Sequence, residues 1–341
     1  MMADGAFSDL IRRPVIVAPM AGGPTTTALI AAAAQAGAIG FVAAGYKPAQ
    51  TMRADIDAVT AVTRDPYGVN VFVPGAPADS RAVARYRDSI AADAAVLGTE
   101  VGRASWDDDD WQAKIDDLIA RPVPIVSFTF GCPEPAIVAA LRSAGSSVWV
   151  TVTDPAEAAA AVSAGASCLC VQGAEAGAHR GSFTNAPGGT AGVVELIAAI
   201  RPITSVPLVA AGGIMDSAGA TAALAAGAAA VQCGTAFLRC PESGSHPVYK
   251  AALADPRYGG TAVTRAFSGR PARGLVNRFL RDHQDAPAAY PEINNATRPI
   301  RAAAAAAGDT DRMSLWAGQG YRAATTRSAG EVIDMLCGQA E

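Results

Sequence analysis

The residues best suited to chemistry sit in one run, Gln172-Gly173-Ala174-Glu175-Ala176-Gly177-Ala178-His179-Arg180-Gly181. Histidine occurs only at 179, 246 and 283 in 341 residues, and one of the three falls here. An imidazole in such a loop can accept a proton or donate a hydrogen bond to an anion. A loop histidine can equally be a solvated surface residue. Other polar and glycine residues sit in or directly after apolar runs: Met20-Ala21-Gly22-Gly23, Asn70, Gln172-Gly173, Gly212-Gly213 and Gly234-Thr235. Glycines after successive strands let backbone N–H groups approach an anion closely, as in a phosphate cradle. One such glycine alone reads as a tight turn. Cys168 and Cys170 alternate without a converging partner, so they read as small buried residues. Zinc-ligand spacing, a P-loop and a hydrolase elbow are all missing, and no metal is expected. No Gly-x-Gly-x-x-Gly stands between a strand and a helix, which leaves a Rossmann NAD site without support.

These groups need a frame, and the chain supplies a repeating one. Short continuous apolar runs alternate with Ala-rich stretches of helical length, from Pro14–Met20 and Thr25–Ala36 through to Ala229–Gly234. Runs without alternation fit parallel strands covered on both faces. About eight strand–helix repeats over roughly 235 residues suit a (β/α)8 barrel better than an open doubly wound sheet. Glycines at 37, 145, 165 and 227 fit left-handed turns just past helices. Asp154, ahead of Pro155, and Asp216 fit N-caps. The run Asp107–Asp110, between Trp106 and Trp111, reads as a solvated helix start. After Gly234 the rhythm changes. Residues 1–236 read as the barrel, 237–310 as an inserted, mostly helical lid, and 311–341 as a tail returning to the barrel.

Composition narrows the function classes. Half of the chain is apolar, 17% is charged, and the net charge is −4. That excludes disorder and gives no electrostatic footprint for nucleic acid or an anionic membrane. The six cysteines lack a framework spacing, which fits a reduced, cytoplasmic protein. The first 14 residues carry Asp4 and Asp9 and no apolar core, so no signal peptide is expected. The apolar stretch 28–44 is broken by Gly37 and Gly40, and reads as a buried helix and strand.

Several motifs, taken in order, resemble the FMN-dependent nitronate monooxygenases (2-nitropropane dioxygenases), class I in particular. They are Ala18–Pro24, Gly68–Phe72, Gln172–Gly181, Ala211–Ile214, Val231–Thr235, Phe267–Arg270 with Ala272–Gly274, and Trp316–Gly320. The resemblance implies a TIM barrel with a lid and non-covalent FMN. By motif, Met20, Ala21, Gly22 and Asn70 would contact the flavin, with Gln172 and Gly177 beside it. Gly212, Gly213, Gln232, Cys233, Gly234 and Thr235 would hold its phosphate, and His179 would be catalytic. Ser268, Gly269, Gly318 and Gln319 would close the substrate side.

The implied reaction oxidises a nitronate of the propionate 3-nitronate type, or a nitroalkane, with O2 to a carbonyl compound and nitrite, without NAD(P)H. The implied partners are these small molecules, and a homodimer is compatible with the pattern. One departure stands out: Ala178 occupies a position where the family usually has glycine. If that position needs positive φ, alanine there is strained by on the order of 1 kcal/mol. FMN-dependent enoyl-acyl-carrier-protein or quinone reductases share the scaffold and are the rival reading. A non-catalytic flavin-binding protein is the other.

Overall fold

A computed structural model describes residues 7–339; Asp4 of the leader reading lies outside them. Eight parallel strands form the frame: β1 (Val15–Val17), β2 (Phe41–Ala43), β3 (Gly68–Phe72), β4 (Ile125–Thr129), β5 (Ser147–Val152), β6 (Cys168–Gln172), β8 (Leu208–Ala211) and β9 (Ala230–Cys233). Their order is β1-β9-β8-β6-β5-β4-β3-β2. A parallel bridge between Ile16 and Ile39 joins the two ends, with Val17 N donating to Ile39 O at 2.8 Å. The sheet is therefore a (β/α)8 barrel, the closed solution, not the open one.

Strand residues are buried on both faces, which is why their runs do not alternate. Inward side chains include Ile16, Phe41, Ile125, Cys168 and Trp149, whose indole packs near Phe7 and Phe41. Outward side chains meet the covering helices. These include α1 (Thr27–Gln35), α2 (Ala49–Val62), α5 (Trp111–Ala120), α6 (Pro135–Ser143), α7 (Pro155–Ser163), α8 (Val193–Ile200) and α9 (Ser217–Ala225). Leu29, Ile197, Ala223 and the tail helix α13 (Ala329–Leu336) share one such cluster. Gly37, Gly145, Gly165 and Gly227 all have φ between +75° and +109°, as their position past helices requires. Asp154 caps Glu157 N at 2.8 Å, and Asp216 caps Gly219 N at 2.8 Å.

Two regions depart from the expected pattern. Residues 237–310 hold helices α10 (Pro247–Ala252), α11 (Arg278–Asp282) and α12 (Glu292–Ala307), but also strands β10 (Thr261–Thr264) and β11 (Ala272–Leu275). These strands build a three-stranded antiparallel sheet with β7 (Ala178–His179), in the order β10-β11-β7. Helices α3 (Ser80–Ser89) and α4 (Ala91–Val96) join this region through an apolar cluster with Phe267, Phe279 and Ile293. Asp93 pins it further, meeting Arg312 at 2.7 Å and His283 at 2.9 Å.

The acidic run is not simply a solvated helix start. Asp109 Oδ1 accepts Tyr46 N at 2.9 Å, and its other oxygen lies 2.8 Å from the fully buried Lys114 ammonium. Asp110 accepts Ala49 N at 2.7 Å. The acids tie the α5 start to the loop after β2.

Candidate functional site

A cavity of about 650 Å³ opens at the C-terminal ends of the barrel strands. Its floor is backbone. Met20, Ala21 and Gly22 follow β1, Gly212 and Gly213 follow β8, and Gln232 to Thr235 end β9; all line the cavity. Gly212 has φ +122° and Gly213 has φ +71°. A Cβ on Gly213 would sit 2.8 Å from the Glu175 side chain, so only glycine fits this turn. Gly212 N–H continues the β8–β9 ladder toward Gln232, while the N–H groups of Gly213, Gly234 and Thr235 donate to nothing among the described residues. Three unpaired donors around one concavity are what binding an anion there would need.

Asn70, on β3, donates its amide to Ser127 Oγ at 2.9 Å and Thr129 Oγ1 at 3.0 Å. Its carbonyl oxygen is left for a donor in the cavity. Gln172 does something else. Its amide donates to His179 O at 3.1 Å, and its carbonyl accepts Gly181 N at 2.8 Å. The side chain thus clasps both sides of the His179 loop while lining the cavity. Gly177 lets the same loop touch the tail, since a Cβ there would lie 2.4 Å from Gly318 N. Thr235 Oγ1 accepts that Gly318 N–H at 3.0 Å.

His179 projects into the opposite end. β7 pairs with β11 through Ala272–His179 and Arg273–Ala178, which fixes the imidazole's place. Ala178 adopts φ +61°, so the position is one where alanine is strained, and the sheet pairing holds it there. Phe130, Tyr290 and Trp316 surround the imidazole at 5.6, 5.7 and 5.6 Å between ring centroids.

The imidazole Nε2 lies 2.8 Å from Ser268 Oγ. Ser268 has one proton, and Arg270 O lies 3.2 Å from its oxygen as an acceptor. Where the hydroxyl proton goes to Arg270 O, Nε2–H donates to Ser268 and Nδ1 is the unprotonated nitrogen. Burial and the Arg270 and Arg301 guanidiniums push the His179 pKa down to about 3. The ring is therefore neutral at pH 7.

Neither guanidinium has a carboxylate partner among the described residues. Arg270 stacks 4.1 Å over Phe130 and donates to the backbone oxygens of Arg180 and Ser182. Arg301, on α12, donates to Thr297 Oγ1 and to Asn294, which leaves Nη1 open on the cavity wall. Beside it, the Tyr46 hydroxyl is buried against the Tyr290 hydroxyl. This end is cationic, aromatic and short of acceptors.

Of the sequence-predicted residues, His179 and all twelve expected cofactor contacts line this cavity, as does Gly318. Ser268 sits behind His179, Gly269 caps Asn185 with its carbonyl, and Gln319 faces a different cavity. Sequence reasoning passed over Tyr46, Phe130, Tyr290, Asn294, Arg298 and Arg301. Arg298 and Arg301 flank Pro299-Ile300 just before an alanine tract, a pair of basic residues that no motif singles out.

Comparison with known proteins identifies the family. The family model for nitronate monooxygenase matches residues 5–339. A probable nitronate monooxygenase of Bacillus subtilis (strain 168) is 36% identical over 336 residues, covering 96% of each chain. One from Staphylococcus aureus (strain Newman) is 35% identical over 343 residues, covering 96% of this chain and 94% of its own. Among solved structures, a nitroalkane oxidase from Streptomyces ansochromogenes is 46% identical, with TM-score 0.95 over 98% of this chain and 97% of its own. FabK from Thermotoga maritima is more distant, 27% identical with TM-score 0.74 over 97% of this chain and 94% of its own. The chain belongs to the nitronate monooxygenase family and is an oxidoreductase of that type.

Proposed function

We propose that the protein oxidises alkyl nitronates of the propionate 3-nitronate type with O2, using FMN and no NAD(P)H, to a carbonyl compound and nitrite. The observation that carries this reading is the His179 end of the cavity. One buried and one half-buried guanidinium, Arg270 and Arg301, without acid partners among the described residues, stand beside a neutral imidazole in an aromatic enclosure. Such a site favours an anion, and a nitronate is one.

The residues present fit FMN. The open N–H groups at Gly213, Gly234 and Thr235 suit its phosphate, with Gly212 shaping the turn, and the free Asn70 carbonyl suits a ring N–H. When bound, FMN supplies the electron acceptor for the organic substrate. The chain's own work is to hold and orient. Arg301 Nη1 binds an oxygen of the anion or its carboxylate. His179 Nδ1, fixed through Ser268, faces the reacting carbon. The aromatic walls exclude water.

A neutral nitroalkane is a second substrate reading, supported by the similarity to the Streptomyces nitroalkane oxidase. It requires Nδ1 to take the α-proton. An imidazole with so depressed a pKa is a weak base, so the nitronate is the better substrate. Oxygen uptake with propionate 3-nitronate, measured with and without NADH, tests the proposal.

A further inference from the structure

A second cavity, of about 530 Å³, lies over the three-stranded sheet and is lined by residues of β7, β10 and β11. Three guanidiniums border it, those of Arg180, Arg265 and Arg273, and none of them borders the flavin cavity. Arg180 is only 9% exposed, and its Nε and Nη2 are sealed from solvent without a partner. No hydrogen bond or ion pair engages any nitrogen of this side chain among the described residues. Arg265 Nε is likewise sealed and unpartnered, while its Nη2 donates to Asn185 O at 2.9 Å. Arg273 is held by Ala174 O and Thr261 Oγ1.

The acids nearest Arg180 are committed elsewhere. Glu157 accepts Thr153 N and Phe183 N, Glu175 accepts Val193 N, and Asp154 caps α7. Gly188 lies against the guanidinium, since a Cβ there would be 3.1 Å from Arg180 Nε.

A buried guanidinium with no acceptor is costly, and the cost is recovered when an oxyanion supplies the acceptors. Arg presents its donors in a planar fork that matches carboxylate and phosphate oxygens. The volume is that of a small-molecule site. We propose that this cavity binds the oxyanion of a small molecule, a phosphate ester or a carboxylate, through Nη1 of Arg180 and Nη1 of Arg265, the nitrogens neither sealed nor hydrogen-bonded. Ala178 and His179 border both cavities, so the occupant adjoins the strand that carries the imidazole.

The test uses protein saturated with FMN, so that the phosphate cradle is already filled, and reads melting temperature at ionic strength fixed with chloride. Inorganic phosphate and acetate are the two probes. Phosphate or acetate raises the melting temperature beyond chloride, and R180Q and R265Q each weaken the apparent dissociation constant by about tenfold or more. A response to phosphate alone assigns a phosphate ester, and one to acetate alone a carboxylate. Arg265 is half-buried and has one hydrogen bond to lose, so R265Q decides the matter if R180Q does not fold. No response beyond chloride, or a wild-type response kept by folded R265Q, overturns the proposal.

Discussion

The two ends of the main cavity are built from different materials. The end formed by the loops after β1, β8 and β9 offers backbone N–H groups and glycines. The end around His179 offers side chains, two guanidiniums, a neutral imidazole and four aromatic rings, those of Tyr46, Phe130, Tyr290 and Trp316. A backbone cradle binds a constant group, such as a phosphate, without regard to the rest of the ligand. A side-chain enclosure selects the variable, reacting group. The difference implies that damage to one end is felt in cofactor retention and damage to the other in turnover.

The largest expected effect is at the side-chain end. His179→Asn lowers kcat/KM on a neutral nitroalkane by about 10²–10⁴-fold, and on the nitronate by far less, because only the neutral substrate needs a base. Equal losses on both substrates contradict that role. The same variant alters acid stability. The native pKa of about 3 lies below the ordinary 6.5, so the unfolded chain binds more protons between those values. Wild-type stability is therefore full above about pH 6.5 and declines as pH falls toward 3. His179→Asn flattens that decline in an acid-melting series.

Arg301→Met comes next. Losing one charge-assisted contact of about 1.5–3 kcal/mol raises the nitronate KM by about 10–100-fold while FMN content stays at the wild-type level. A KM that does not move removes Arg301 from the anion site.

Gly177→Ala probes the backbone contact between the His179 loop and the tail. Its Cβ would meet the backbone at Ala317 and Gly318, which cannot swing aside as a side chain does. The expected result is a loss of about 1–3 kcal/mol in stability and poorer FMN retention, read by melting and by flavin absorbance. Unchanged values mean that the tail yields.

The smallest effect is at the junction of the two regions. Ala178→Gly relieves the left-handed strain at φ +61° and raises stability by at most about 1 kcal/mol, because glycine also loosens the unfolded chain. A lower melting point means that the alanine methyl packs usefully.

The same contrast explains what the sequence disclosed. Barrel strands are buried on both faces, so runs such as Ser147–Val152 and Cys168–Gln172 stand out without any partner being known. The glycine turns after β1 and β8 were legible because glycines follow those runs at set places. The small sheet was not, because Thr261–Thr264 and Ala272–Leu275 are four-residue strands with glycine and arginine among them.

The side-chain end converges from positions 46, 130, 179, 290, 301 and 316, and no local pattern ties such distant residues together. Asp109 shows the same limit. Four acids in a row look alike, and only the fold turns one of them onto Lys114. Ala178 was legible as a question, whether φ is positive there, and the structure answers it.

The central claim, that this site oxidises an anionic nitronate with oxygen and needs no nicotinamide, is tested most directly by oxygen uptake on propionate 3-nitronate. FMN-loaded protein should consume oxygen and release nitrite at the same rate with and without NADH. In anaerobic stopped-flow mixing, NADH alone should leave the flavin absorbance unchanged. No uptake without NADH, together with rapid flavin bleaching on adding it, contradicts the account and assigns the chain to the reductases that share its scaffold.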